Sequence, residues 1–178
     1  MSYLKETAPE NASGKLAELF TALEKKIGYV PNGFRALSVS EAILERQAGY
    51  IDWVMKHPTL SPRFAAILRL LISENKECDY CVHANSAMLQ NFLGVSADEI
   101  AALKLNPGDA PLDEREKALV LFVLDAIENP REVSAMDIDD LREMGWSDSE
   151  ILDALYQGAQ QVAFDILVTA FNVENDHP

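Results

Sequence analysis

Cys78 and Cys81 are the only cysteines in a chain of 178 residues. They stand with two residues between them, in Cys78-Asp79-Tyr80-Cys81. On a helix that begins at Cys78, the second sulfur lies one turn after the first and on the same face. Thiols placed this way can cycle between dithiol and disulfide, or ligate a metal. The plainer reading makes them two small core residues.

A closed zinc site needs about four ligands. Beside the cysteines the sequence offers His57, His83 and His177, none of them forming a second pair at a matching spacing. No metal is therefore expected. Covalent haem attachment requires histidine directly after the second cysteine, and Val82 stands there. A redox dithiol fits the spacing better. At a helix N-terminus the dipole and free amides favour a Cys78 thiolate, while the charges of Glu77 and Asp79 oppose it.

Helical geometry also sorts the neighbours. His83 lies two residues past Cys81 and points away from both thiols, so a solvent-facing or interface histidine is expected. Asn85, four residues past Cys81, shares the cysteine face. It can orient a water or peroxide by hydrogen bonding but cannot shuttle a proton as imidazole does.

The elements that must position these residues are helical throughout. Ser13 precedes Leu16, Leu19, Phe20 and Leu23 at helical spacing, and Gly28 suits the end of that helix. Pro31-Asn32-Gly33 marks a turn or the start of a short helix. Ser40 opens a helix carrying Ile43, Leu44, Ile51 and Val54. Ser61-Pro62 is a strong helix start, followed by one apolar stripe of Phe64, Ile67, Leu68, Leu71 and Ile72. The next helix runs from the cysteine motif to Leu93, with Gly94 as its cap. Capping boxes stand at Ser96/Glu99, Asp113/Glu116 and Ser147/Glu150. The last opens a long helix with Ile151, Leu155, Val162 and Ile166 as its apolar residues, and the tail from Glu174 is expected to fray.

The chain reads as one all-α domain with an apolar fraction of 48%. Its segments around 60–63 and 94–100 resemble those around 112–115 and 145–151, which suggests a duplicated helical unit. A redox half would span about 28–104 and a second helical half about 112–173. The formal charge of −14 excludes a basic nucleic-acid-binding surface and disfavours anionic membranes. No membrane span or secretory signal is visible, so a cytoplasmic protein with reduced thiols is expected.

Taken together, residues Gly28-Tyr29-Val30-Pro31-Asn32-Gly33-Phe34-Arg35-Ala36-Leu37, the segment from Cys78 through Ala84 with Gly94, and the second half from Leu112 to the last helix resemble one family. It is the peroxidase-related branch of the alkylhydroperoxidase D-like (AhpD-like), carboxymuconolactone decarboxylase superfamily. The resemblance implies an all-helical, AhpD-like bundle, assembly into homo-oligomers and no organic cofactor. It also implies hydroperoxide reduction through the cysteine pair. Cys81 would attack the peroxide, Cys78 would resolve the sulfenic acid as a disulfide, and a dithiol donor would restore both. The helix-dipole preference for a Cys78 thiolate agrees with this if Cys78 is the exposed thiol that meets the reductant.

The sequence departs from the family at two positions. A histidine usually stands four residues after the second cysteine, where this chain has Asn85, and a glutamate twelve residues before the first, where it has Ala66. These form the family's proton relay. Glu74 and His83 are the candidates to replace the missing base. Two further readings follow: a redox sensor or disulfide-exchange module without turnover, and a lactone decarboxylase-type enzyme that does not need the cysteines.

Overall fold

Ser61 and Pro62 start the helix around which the molecule is built. The Ser61 hydroxyl accepts from the Phe64 amide at 3.0 Å, and proline takes the first helical position, where its missing N–H costs nothing. The computed structural model describes residues 2–176, and helices without strands make up the regular structure among them. In chain order they are α1 (Gly14–Ile27), α2 (Asn32–Leu37), α3 (Glu41–Met55), α4 (Pro62–Asn75) and α5 (Asp79–Phe92). Then come α6 (Ala97–Leu105), α7 (Glu114–Glu128), α8 (Ala135–Glu143) and α9 (Asp148–Ala170).

Helix α4 carries more than the expected single stripe. From Phe64 to Ser73 every residue but Arg69 is buried. The cause is its position: α5, α7 and α9 pack around it and cover all its sides. Leu68, Leu70 and Ile67 are fully enclosed, each contributing roughly 1.5–3 kcal/mol from removal of apolar surface from water. A second apolar cluster of Phe20, Leu23, Val30, Leu37 and Leu44 fastens α1, α2 and α3 to one another.

The sequence signals for helix starts hold. Ser96, Asp113 and Ser147 each accept from the amide three residues on, and the partner glutamates reach back to the cap amides. The two stretches that resemble each other also share a contact. Arg63 donates to the Leu93 carbonyl at 2.8 Å, and Arg115 donates to the Gly145 carbonyl at 2.9 Å.

Helix α9 differs from its expected pattern. Ile166 is 62% exposed, and the face turned inward carries Ala154, Gln157, Gly158, Gln161, Asp165 and Val168. Gly158 lets α9 approach α7 closely, because a Cβ there would lie 2.6 Å from Val123 Cγ1 and 2.8 Å from Ile127 Cδ1. The Gln157 amide is fully buried, and among the described residues neither its nitrogen nor its oxygen has a hydrogen-bond partner. An unpaired buried polar group costs about 1–3 kcal/mol. Gln157→Met, which keeps the volume and removes the polar atoms, is therefore expected to raise stability by roughly 1 kcal/mol or more in denaturant unfolding. A loss of stability would show that the amide has a partner in solution.

The tail beyond α9 is not frayed where it is described. Asn32 donates its side-chain amide to the Glu174 and Asn175 carbonyls, and its backbone amide to Asp176 Oδ1 at 2.6 Å. These bonds tie the chain end to the start of α2, so a polar composition did not mean disorder. His177 lies outside the described residues.

Candidate active site

The turn between α4 and α5 sets the cysteines in place. The Cys78 amide donates to the Ser73 carbonyl at 2.9 Å and the Glu77 amide to the Glu74 carbonyl at 3.1 Å. This is a Schellman helix end, in which the penultimate residue must be left-handed. Glu77 adopts that conformation at φ 54° without being glycine. Cys78 becomes the residue that caps α5, and Cys81 follows one turn later on the buried side.

Both cysteines are free thiols, 1% and 2% exposed. The expectation that Cys78 would be the exposed thiol is therefore corrected: α9 covers the start of α5, and Val168, Phe164 and Val173 pack around the pair. The group that joins them is Asp165 of α9. The two sulfurs and a carboxylate oxygen of Asp165 all lie within 4.8 Å of one another. Asp165 Oδ1 accepts from Ser73 Oγ at 2.9 Å and from Gln161 Nε2 at 2.7 Å. Its other oxygen, Oδ2, is buried without a partner of hydrogen-bonding geometry. Burial raises the Asp165 pKa against the pull of the Cys81 thiol first and then of Gln161, Ser73 and the Cys78 thiol.

The two thiols are made unequal. The pairing with Cys81 lowers the Cys78 pKa, outweighing burial. The same pairing, burial and the Asp165 carboxylate raise that of Cys81. Ionisation therefore places the first thiolate on Cys78. Cys81→Ala is expected to move the Cys78 titration to higher pH, because the largest stabiliser of that thiolate is lost. Ultraviolet thiolate absorbance against pH checks this, and an unchanged midpoint would assign the shift to the helix N-terminus instead.

Access separates them again. A cavity of about 770 Å³ has Cys81 in its wall, whereas Cys78 does not line it. Phe34, Ile51, Met55, Met88, Phe92 and Phe164 give it an apolar surface. Tyr80 and Asp176 line it as well: the Gly33 amide donates to the Tyr80 hydroxyl at 2.9 Å, and that hydroxyl donates to Asp176 Oδ2 at 3.0 Å. A Cβ on Gly33 would stand 2.9 Å from both Tyr80 and Phe164, so only glycine allows this closure. A second cavity of about 590 Å³, beside Tyr50, Trp53 and Tyr156, includes neither cysteine.

Of the other expected site residues, Asn85 reaches the centre and two do not. Asn85 is buried and donates Nδ2 to the Cys81 carbonyl at 2.8 Å. Its Oδ1 accepts from Arg69 Nε at 3.1 Å and Nη2 at 2.9 Å. Its role differs from that of a free water-orienting amide, because both ends are engaged and it holds Arg69 in place. Glu74 is exposed, paired with Lys104 at 2.8 Å and not part of the thiol–carboxylate cluster. His83 is exposed at the cavity wall and is not part of the thiol–carboxylate cluster. Helical direction explains both, since neither residue is on the inward face of its helix.

Asp165, Arg69, Gln161 and Ser73 were not singled out in the sequence. The available signal was the spacing of Ala154, Gly158, Gln161, Asp165 and Val168, which puts small and polar residues on one stripe of α9. The cluster also supplies three donors of the kinds zinc accepts. His57 is bonded to Asp153 at 3.1 Å, and among the described residues no histidine completes the set.

No protein-family model matches the chain, and no curated protein matches its sequence. Solved structures do match its shape. An uncharacterized peroxidase-related protein from Silicibacter sp. TM1040 superposes with a TM-score of 0.87 at 20% identity, covering 98% of this chain and 92% of the other. The alkylhydroperoxidase AhpD core of an uncharacterized peroxidase-related protein from Ralstonia eutropha JMP134 gives 0.87 at 21% identity over the same shares. The debrominase Bmp8, as a cysteine-to-alanine variant in complex with 2,3,4-tribromopyrrole, gives 0.79 at 15% identity, covering 99% of this chain and 94% of the other. The chain thus has the all-α, AhpD-like fold of the peroxidase-related proteins. That fold carries more than one named activity, so the chemistry has to be argued from the site. Among the described residues, no helix is long and apolar enough to cross a membrane.

Proposed function

We propose that this protein is a thiol-dependent peroxidase for organic hydroperoxides, with Cys78 and Cys81 as its redox centre. The observation that carries the reading is the placement of Cys81 in the wall of an apolar cavity, with Cys78 and the buried carboxylate of Asp165 beside it. An inert core pair would not need a buried carboxylate facing it, because burying an ionisable group is costly.

In this reading Cys81 attacks the distal oxygen of the peroxide. The O–O bond breaks, Cys81 becomes a sulfenic acid, and the alkoxide leaves as the alcohol by taking up the proton that Cys81 released. The thiol proton released by Cys81 goes to Asp165 or to the Cys78 thiolate, its two neighbours with free lone pairs. A carboxyl whose pKa is raised by burial accepts a proton more readily near neutral pH than an ordinary aspartate. Cys78 then attacks the sulfenic sulfur, hydroxide leaves as water with the proton that Cys78 gave up on ionising, and the disulfide forms. A dithiol donor reduces the disulfide and is itself oxidised. Since both sulfurs are buried, the donor would enter through the cavity as a small dithiol or on a slender arm.

The test is stoichiometric. The reduced protein is mixed with cumene hydroperoxide, and free thiols and intact mass are followed. Loss of both thiols with a fall of about 2 Da, reversed by dithiothreitol with continued peroxide consumption, is expected. Thiol loss without turnover would favour a redox sensor. A reaction no faster than that of free cysteine would end the peroxidase reading.

A further inference from the structure

We propose that the cavity above Cys81 binds an amphipathic organic anion, whose single negative group is held by Arg69. This deepens the proposed function, on which it rests, by naming the class of hydroperoxide: an organic acid with an apolar body.

The starting observation is that Arg69 is the one residue between Phe64 and Ser73 of α4 that is not buried. It keeps part of its surface open, and the space it opens onto is the cavity. The protein around it disfavours its charge, for burial lowers the pKa of the guanidinium. Yet no carboxylate pairs with it among the described residues. Asp165 acts on it only from a distance and spends one oxygen on Ser73 and Gln161. The acceptor that Arg69 does have is Asn85 Oδ1, a neutral amide oxygen that takes both Nε and Nη2. A guanidinium has five N–H donors, so Asn85 leaves most of them unused.

A cation that opens only onto a largely apolar cavity and is served by a neutral acceptor is poorly compensated until an anion arrives. Cys81 does not supply that anion. Its thiol is the one that retains its proton, and in the disulfide state it has no charge to give. Arg69 therefore lacks a counter-ion in both redox states. The planar fork of a guanidinium suits a carboxylate, which can take two N–H groups at once.

The remaining lining fixes the rest of the ligand. Phe34, Ile51, Met88 and Phe164 offer no polar partner, Gln47, Asn91 and Gln160 add neutral polar groups, and Phe92 and Met55 are exposed. A volume of about 770 Å³ falls in the range of pockets that enclose drug-sized molecules. Two other side chains of fixed charge face this space, and His83 stands exposed at its wall. Lys26 is paired with Asp52 at 2.7 Å, and Asp176 is taken by the Tyr80 hydroxyl and the Asn32 amide. Arg69 is the charge left open to a guest, and its position beside the Cys81–Asn85 segment brings the guest's head group next to the reactive sulfur.

The test compares two probes of one length, dodecanoate and dodecanol, by calorimetric titration of the reduced full-length protein without peroxide. A charge-assisted pair with Arg69 is expected to make dodecanoate bind at least about tenfold more tightly. Bound dodecanoate should also slow alkylation of Cys81 by iodoacetamide. In Arg69→Gln the preference should disappear while dodecanol binding is unchanged, which also shows that the cavity still folds. Arg69→Lys should retain part of the preference. Equal affinity of the wild-type protein for the two probes, or a preference that survives Arg69→Gln, overturns the proposal. Because no peroxide is present, the two readings fail separately. Dodecanoate binding without peroxide consumption refutes the peroxidase alone. Consumption of cumene hydroperoxide with no preference for the acid refutes the anion site alone.

Discussion

Cys81→Ser is expected to lower cumene hydroperoxide consumption by at least about a hundredfold, because a serine hydroxyl is a far weaker nucleophile than a thiolate at neutral pH. Cys78→Ser should behave differently. It should still reduce one equivalent of peroxide and then stall, since nothing remains to resolve the sulfenic acid on Cys81. Trapping with a sulfenic-acid reagent, followed by mass spectrometry, separates the two variants. The asymmetry follows from access, as Cys81 lines the cavity and Cys78 does not. The proton preference runs the other way, with the first thiolate on Cys78. Attack by Cys81 therefore requires its proton to move as the S–O bond forms. Wild-type rates in Cys81→Ser, or a sulfenic acid trapped on Cys78 in that variant, would reverse the assignment.

Asp165→Asn is the second substitution with a large expected effect, and it separates two roles of one carboxyl. As a negative charge near the thiols, Asp165 raises the pKa of both. Its removal should shift thiol ionisation to lower pH and, by electrostatics alone, speed reaction with iodoacetamide. As a proton acceptor, its loss should slow peroxide turnover, by roughly a hundredfold or more. Faster alkylation with slower turnover is thus the expected signature. Faster alkylation with faster turnover would make Asp165 an electrostatic brake and would remove it from the mechanism.

The same substitution carries a stability prediction with a definite sign. Burial raises the folded-state pKa of Asp165 above its unfolded value, so the folded protein binds more protons between the two. Stability contributed by the neutral acid is complete below the unfolded pKa and is lost as pH rises through the folded one. Asparagine keeps the oxygen that Ser73 and Gln161 bond to and carries no charge to desolvate. The variant should therefore gain stability over the wild-type protein as pH rises above the carboxylate range. Denaturant unfolding at several pH values tests this, and a constant difference would mean that Asp165 does not titrate in that window.

Much of the fold was legible because helix ends are local. Ser61-Pro62, the three capping boxes and Gly28 act through bonds within four residues, and the structure places helix ends at each. The C-terminal tail was misread for the opposite reason. Its anchors, Asn32 and Tyr80, are distant in sequence, and composition carries no trace of them. Asn85 was placed on the cysteine face by helical arithmetic, but its partner Arg69 belongs to the neighbouring helix and could not be inferred that way.

The sequence by itself determined the all-α architecture, the position of Cys78 at a helix start and the shared face of Cys78, Cys81 and Asn85. These depend on propensity, caps and a period of 3.6 residues. Tertiary structure alone decided what surrounds the thiols. Asp165 looked like an ordinary polar residue of an amphipathic helix until α9 was docked with its polar stripe inward, against the Cys78–Cys81 turn. Arg69, not singled out in the sequence, takes its setting from α5 and the N-terminal helices, which share the cavity wall with it. Whether a charged side chain meets water or a partner is fixed by helix packing, and that packing depends on contacts between residues far apart in the chain.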